Sequence, residues 1–300
     1  MKTKYFKLKI DTESKKDSNK VVSYNHFIEI SGNKQLRVVF NILKDFDNSI
    51  SYADIKIYGL KKDTVNKYLH RDAAIEVVAG YQIFSGEDID NEYSSIFTGR
   101  ITNAFITGLV PNTYMQLYAI SGSQNRKIIN KNIPANDTVL DIVKACSGAM
   151  GYSAHVESNK PIDWLVLTKG YKLTGDPEKI LNTLSKTYNF NWINDGGKII
   201  ITSNSSYREL NNKYINWKNG LVSTPQASEL GINIILNLIN FVKIGDKIKI
   251  ESEFQNYSYS SLYFEKITKK SEVIARKIQY VGDNYSRMTM WHQEILGYYE

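Results

Sequence analysis

The chain has 300 residues, 42% of them hydrophobic, so it can bury a core and is long enough for two or three domains. Its single cysteine, Cys146, excludes an intramolecular disulfide framework and predicts synthesis in a reducing cytosol. The net charge of +7 is spread along the chain, with short runs such as Lys15-Lys16 and Lys269-Lys270, which disfavours a dedicated nucleic-acid binder.

The sequence predicts neither a signal peptide nor a membrane segment. At the N-terminus, charged residues occupy every second position, whereas a signal peptide has a basic segment followed by an apolar run. The longest apolar candidate, residues 231–244, is interrupted by three asparagines and Lys243. We therefore expect no export signal and no membrane-spanning segment.

The first 120 residues predict about seven strands, because apolar side chains recur with a period of two. The alternation is clear at Phe6, Leu8 and Ile10, and again at Val38, Phe40 and Ile42. One short helix is expected at residues 64–69, with Asp63 as its N-cap. This pattern of short strands and turns is typical of a β-barrel or a β-sandwich.

The middle of the chain changes to a helical period. Asp137 is expected to cap a helix that has an apolar stripe and is ended by glycines at Gly148 and Gly151. Asp176 and Pro177 predict the start of a second helix. A hairpin follows around residues 195–197, so this part reads as a small α+β unit.

From Trp217 the strand pattern returns, for example at Ile232, Ile234 and Leu236. The predicted fold class is therefore β-rich, with two similar tube-type β-barrel domains and a small α+β domain inserted between them. The expected boundaries are residues 1–122 for the first barrel, 123–213 for the middle domain and 214–300 for the second barrel.

Short strings of residues, in a fixed order, resemble the baseplate hub proteins of contractile phage tails, which are similar to the late control D family. The first barrel contributes Ala53 to Leu60, Ala79-Gly80-Tyr81 and Phe97-Thr98-Gly99-Arg100-Ile101. The second contributes Gly220 with Pro225, Leu236-Asn237, Gly245-Asp246, Gly282-Asp283 and Trp291. The resemblance spans both β-domains, although Leu238 stands where the family often has proline.

We interpret the residues of these strings as fold markers that shape turns or fill cores and interfaces, and not as a catalytic, cofactor or metal site. The glycines supply turns or close backbone approach, and the aromatic residues supply buried area. The markers are Gly80, Tyr81, Gly99, Gly220, Pro225, Gly245, Asp246, Gly282, Asp283 and Trp291.

The resemblance implies a structural baseplate hub in a virion tail, made in the bacterial host cytoplasm. Its expected partners are two further copies of itself, the tail tube protein, the central spike or tip protein, and other baseplate proteins including the tape measure. A homotrimer that carries the barrel twice would match a six-fold tube to a three-fold spike. DNA would pass through its channel without specific binding, and no cofactor is expected.

Two other functions stay open on the sequence: a cell-wall hydrolase of the tail tip and a carbohydrate-binding β-protein. The histidines lack the paired spacing of a metal site. Cys146 with His155 could form a nucleophile and base, but Cys146 lies on an apolar helical stripe. Glu87, Asp88, Asp90 and Glu92 could hold calcium, yet an extended solvated loop is favoured.

Overall fold

A computed structural model describes most of the chain. The described residues are 2–11, 25–31, 36–46, 50–61, 65, 72–85, 88–108, 113–121, 128–195, 197–204, 207–208, 213–238, 242–252, 256–258, 272–286 and 290–299.

Strands dominate the described residues, which confirms the prediction of a β-rich fold. The strands are β1 (Lys2–Asp11), β2 (His26–Ser31), β3 (Arg37–Asp45), β4 (Tyr52–Tyr58), β5 (Ala74–Ser85), β6 (Asp88–Thr107), β7 (Tyr114–Ile120), β8 (Ile129–Ile133), β9 (Ser153–Val156), β10 (Tyr171–Gly175), β11 (Phe190–Asp195), β12 (Lys198–Ser203), β13 (Lys213–Ile215), β14 (Gln226–Ser228), β15 (Gly231–Asn237), β16 (Lys247–Ile250), β17 (Asn256–Ser258), β18 (Glu272–Asp283) and β19 (Trp291–Tyr298). The helices are α1 (Val139–Met150), α2 (Pro177–Thr187) and a 3-10 turn at Trp217–Asn219.

One 14-stranded sheet contains the strands of both ends of the chain. Its main path runs β17-β14-β15-β19-β18-β3-β4-β7-β6-β5-β1-β2, and β16 joins β18 and β13 beside it. We call β1–β7 the first β-half, β13–β19 the second β-half, and β8–β12 with the two helices the inserted module. The two halves thus share one sheet through the pairing of β3 with β18.

Side chains that alternate along the strands with a period of two form the core, because every second one points inward from the sheet. Burial alternates along β3, where Val38, Phe40 and Ile42 point inward, and along β19, where Trp291 and Ile295 do so. A single cluster of buried residues draws on both β-halves, and a second one lies within the inserted module. The division into three domains at residues 122 and 213 stays a prediction.

The inserted module begins with α1, whose N-cap is Thr138 and not the predicted Asp137. The Thr138 backbone N–H donates to the Asp141 carboxylate at 3.0 Å, a capping-box contact that Asp137 cannot make. The helix runs through Gly148 and ends at Gly151, whose φ of 91° is left-handed. The second helix follows the prediction, since the Asp176 carboxylate accepts from the Glu178 N–H and Pro177 is the first helical residue.

β18 changes partners halfway along its length, at a bulge between Ala275 and Lys277. Before the bulge it pairs with β16, and after it with β3. β19 pairs with it on the other side along both parts. The helix predicted at residues 64–69 lies outside the described residues except for Val65, which is buried.

Candidate functional site at the junctions between modules

The two β-halves meet along the β3–β18 seam, where seven residue pairs run from Lys277 opposite Asp45 to Asp283 opposite Val39. The backbone bonding continues beyond the ladder, because the Phe46 N–H donates to the Arg276 carbonyl at 2.8 Å. A continuous antiparallel ladder is stiff against shear. The seam therefore fixes the second β-half relative to the first.

Trp291 reinforces the seam from the core side. Its indole Nε1–H donates to the Gly80 carbonyl at 2.8 Å, and its own carbonyl accepts from the Tyr81 hydroxyl at 3.2 Å. Its ring meets the Phe40 ring edge-on at 5.2 Å. Burial raises the pKa of Tyr81 to about 12, so this hydroxyl stays a donor at neutral pH.

Gly282 allows the close approach of β18 to the first β-half. A Cβ at this position would lie 2.2 Å from the Phe40 ring, well inside contact distance. The ring is itself packed against Phe6 and Trp291. A larger residue at position 282 would therefore have to displace the core.

Polar contacts close the end of the seam next to Asp283. Its carboxylate accepts from the Arg37 guanidinium at 2.7 and 3.3 Å. The Asn284 side-chain amide accepts from the Val38 N–H and donates to the Leu36 carbonyl, both at 2.8 Å. Burial alone would raise the pKa of Asp283, but the hydrogen bonds from Arg37 and nearby backbone N–H groups hold it below its usual value. From the first strand, the Lys4 ammonium donates to the Asp283 carbonyl at 2.9 Å.

A buried cluster of charges joins the inserted module to the sheet. Lys44 of β3 donates to the Asp195 carboxylate at 2.7 Å, and Arg208 donates to the other oxygen at 3.0 Å. Arg208 also pairs with Glu157. The side chains of Lys44, Asp195 and Arg208 are at most 9% exposed. Such pairs depend on mutual neutralisation, because an unpaired buried charge is costly.

The second β-half enters the same cluster through the turn at Gly245-Asp246. The Gly245 carbonyl accepts from the Arg208 backbone N–H at 2.8 Å, and the Asp246 carboxylate accepts from the Lys243 N–H at 2.9 Å. All three parts of the chain therefore meet at this point.

The two buried carboxyl groups of this junction have opposite pKa shifts. For Asp195, burial opposes ionisation, but Lys44 and Arg208 hold its pKa far below the usual range. For Asp246, burial dominates over the Lys243 N–H and Arg208 and raises the pKa to about 6. The cluster thus keeps Asp195 ionised, while Asp246 titrates near neutrality.

The structure brings together half of the ten fold markers predicted from the sequence. Gly80, Tyr81, Gly282, Asp283 and Trp291 all lie at the seam. The remaining markers lie in the charge cluster or elsewhere: Gly245 and Asp246 in the cluster, Gly99 in β6 against Ile120, Gly220 after the 3-10 turn, and Pro225 buried before β14. Their importance for function stays a prediction.

Sequence reasoning missed the charge cluster of Lys44, Asp195, Arg208 and Glu157. The sequence did contain one indication of a buried charge. Lys44 occupies the next inward position of β3 after Val38, Phe40 and Ile42. A lysine at an inward strand position requires a buried partner. No pattern in the sequence identified that partner as Asp195, more than a hundred residues away.

The residues considered for catalysis or metal binding lie in different elements: Cys146 in α1, His155 in β9 and His292 in β19, next to Trp291 of the seam. Cys146 is fully buried in the inserted module, and burial raises its pKa to about 12, so it lacks the thiolate of an activated nucleophile. His155 contacts the Ser153 hydroxyl at 2.9 Å, and His292 contacts Glu294 at 3.0 Å. His70 lies outside the described residues.

The acidic residues considered for calcium are only partly described, and Asp88, Asp90 and Glu92 lie in β6 and not in the extended loop that the sequence favoured. Glu87 lies outside the described residues, and Glu92 pairs with Lys2 at 2.6 Å. In the part of the chain that the structure describes, no three His, Cys, Asp or Glu side chains are grouped as a metal site. Nor does any described helix have the length and apolar character needed to span a membrane.

Several solved structures have a similar fold. A 43 kDa tail protein of prophage MuSo2 from Shewanella oneidensis matches with a TM-score of 0.58 and 8% identity, over 98% of this chain and 96% of that one. A tail protein from Neisseria meningitidis MC58 matches with a TM-score of 0.56 and 9% identity, over 99% and 97%. A Francisella PdpA–VgrG complex matches with a TM-score of 0.54 and 8% identity, over 99% of this chain and 57% of that one.

The fold is therefore one found in phage tail proteins. The family model for baseplate hub gp41 matches residues 21–264, and the chain belongs to that family. This confirms the predicted hub family and a structural role in the baseplate of a phage tail. A comparison with curated protein sequences finds no match.

Proposed function

We propose that three copies of the chain form a closed ring that adapts the six-fold tail tube to the three-fold spike. The observation that carries this proposal is the β3–β18 seam, which makes two β-halves of one chain into a single sheet. Three chains would then present six β-halves, and the rigid seam would keep their spacing constant. The resemblance of the two halves in three dimensions is part of this proposal.

The charge cluster and the seam suit a subunit that transmits force without changing shape. A baseplate hub must keep its position when the tube is attached and when DNA leaves through it. Because the junctions join all three parts with buried bonds, a load on one part is shared by the others. The dispersed net charge of +7 is compatible with a channel that does not hold DNA, since tight binding requires many phosphate contacts.

We infer that the role is non-enzymatic and that the partners are the tube protein, the spike or tip protein and other baseplate proteins. Interfaces of more than about 2,000 Å² are expected for such permanent contacts. The similar Francisella structure is a complex of VgrG with PdpA, which supports the expectation that proteins of this fold assemble with other chains.

Electron microscopy of assembled tails tests the proposal directly. We expect three copies of this chain in one ring, with one face on the tube and the other on the spike. Six copies, a single copy, or a position in the sheath or fibres would refute it. A zymogram on host cell walls tests the non-enzymatic role, because a clear lysis band from the purified chain would contradict it.

A further inference from the structure

The buried junction of the three parts of the chain holds more carboxyl groups than cations. Lys44 and Arg208 supply two positive charges, whereas Asp195, Glu157 and Asp246 supply three carboxyl groups. Lys44, Arg208 and Asp246 are each at most 6% exposed, so water screens their charges little. If all these groups were ionised, one buried negative charge would lack a buried cation, which is costly.

Asp246 is the carboxyl group of this junction with the weakest compensation. The Asp195 carboxylate accepts from the Lys44 ammonium and the Arg208 guanidinium, and Glu157 pairs with the same guanidinium. The Asp246 carboxylate accepts instead from the backbone N–H of Lys243 at 2.9 Å, which is a neutral donor. A proton that replaces the missing cation should therefore reside on Asp246.

The charged and titratable groups around Asp246 come from all three parts of the chain. Among the described residues they are Lys44 of β3, Glu157 and Asp195 of the inserted module, Arg208, Lys213 of β13, Lys243 of the same turn and Tyr280 of β18. Burial has the largest effect on the pKa of Asp246 and raises it. The Lys243 N–H, Arg208 and Lys213 oppose this rise, and the resulting pKa is about 6.

The turn that contains Asp246 is bonded to two of the parts that meet here. The Gly245 N–H donates to the Ala275 carbonyl at 2.8 Å, and the Ala275 N–H donates to the Asp246 carbonyl at 2.9 Å. Ala275 lies at the bulge where β18 changes its partner from β16 to β3. The Arg208 N–H donates to the Gly245 carbonyl from the other side. Opening of the turn would therefore break its bonds to Arg208 and to β18 together.

Close packing prevents a small adjustment that would expose the Asp246 carboxylate. Gly245 has a left-handed φ of 83°, and a Cβ there would lie 3.0 Å from the Phe46 ring and 3.2 Å from the Arg208 side chain. The turn is thus fixed between the end of β3 and the Arg208 stem. Water can reach the Asp246 carboxylate only when the turn opens.

We propose that the Gly245-Asp246 turn is a proton-dependent latch between the second β-half and the inserted module. With a proton on Asp246, two cations face two carboxylates, and the turn stays closed. When the proton leaves, the closed turn buries an excess negative charge, and the open form, in which water solvates the carboxylate, gains population. The latch is therefore tight in acid and loosens toward neutral pH. It does not depend on the number of copies in a ring.

Hydrogen exchange of the purified chain, resolved by residue, tests the latch. The reporters are the N–H groups of Arg208, Gly245 and Ala275, whose bonds belong to the closed turn. They are compared as protection factors, which removes the intrinsic effect of pH on exchange. The pKa of Asp246 is about 6 in the closed turn and 3.8 in water, so the opening constant rises about ten-fold per pH unit between these values.

Only about one pH unit of that range lies above pH 5. The protection of the three reporters should therefore fall about ten-fold between about pH 5 and about pH 7.5. At the higher pH they should also be less protected than the N–H groups of β4, because the turn opens locally. Equal protection of the turn and β4 would mean that only global unfolding opens the turn, which would overturn the latch.

Asp246→Asn separates this carboxyl group from other groups that titrate in the same range. Asparagine keeps an oxygen that can accept from the Lys243 N–H but has no proton to release. Its reporters should keep the acid level of protection at both pH values. Asp163→Asn, which removes an exposed carboxyl group of the inserted module, is the matched control and should show the wild-type change. A ten-fold change that persists in Asp246→Asn would overturn the latch, and so would unchanged protection in the wild-type chain, which decides the question even if the variant does not fold.

Discussion

Lys44→Met tests whether the buried charge cluster holds the inserted module to the sheet. Methionine keeps the unbranched shape of lysine but removes the ammonium group that donates to Asp195 at 2.7 Å. Asp195 would then share Arg208 with Glu157, and the buried cluster would carry one uncompensated negative charge. Removal of one partner from a buried ion pair costs about 3–5 kcal/mol.

That loss is large enough to measure in the whole chain. At about 2–4 °C per kcal/mol for a protein above 150 residues, the melting temperature should fall by roughly 6–20 °C. Urea denaturation followed by tryptophan fluorescence gives the free energy directly, since Trp192 lies in the inserted module and Trp291 in the sheet. Lys131→Met is the matched control, because Lys131 is exposed on β8 and should change stability by no more than about 0.5 kcal/mol.

A double-variant cycle identifies the cause. Asp195→Asn alone leaves the two buried cations, Lys44 and Arg208, with less negative charge to neutralise them. Lys44→Met combined with Asp195→Asn leaves only the Arg208–Glu157 pair, whose net charge is zero. The double variant should therefore cost about 1–3 kcal/mol less than the sum of the single ones. A loss below about 1 kcal/mol in Lys44→Met, or additive losses in the cycle, would refute the reasoning.

Three further predictions concern single groups. The pKa of Asp246 is raised from 3.8 to about 6 in the folded chain, so the folded chain binds this proton more tightly than the unfolded chain does. As the pH rises from about 4 to about 6, this carboxyl group therefore lowers the stability by at most about 3 kcal/mol. Asp246→Asn should remove that contribution in urea titrations at several pH values, and an unchanged slope would exclude it. Trp291→Phe leaves the Gly80 carbonyl without its indole donor and should cost about 1–3 kcal/mol; an unchanged urea midpoint would contradict the role of this bond. Cys146→Ala should cost a few kcal/mol at most and leave particle assembly intact, so loss of infectivity in a stable variant would point to thiol chemistry.

Local features of the fold could be predicted from the sequence because they depend on neighbouring residues. Alternation in β3 and β19 follows from burial of one sheet face, and the start of α2 follows from Asp176 and Pro177. The predicted N-cap of α1 was wrong by one residue. Asp137 and Thr138 are both good N-cap residues, and only the contact with Asp141 decides between them.

The junctions could not be predicted in the same way. β3 and β18 are more than 220 residues apart, and neither strand has a sequence feature that identifies the other as its pairing partner. The resemblance to hub proteins supplied markers such as Gly80, Gly282 and Trp291, but not the reason for their residue types. The structure gives that reason, because the Trp291 indole and the backbone of Gly282 both pack closely against the Phe40 ring.

The position of β18 late in the chain has a consequence for synthesis on the ribosome. β3 is made early, but the strand that covers its open side emerges only after residue 272. During that interval the first β-half has an exposed sheet edge, which is a template for pairing with other chains. Folding is expected to be slow, because contacts of such high sequence separation form late. Messages truncated before residue 272 should therefore yield aggregated protein, even though most of the strands of the sheet have already been made.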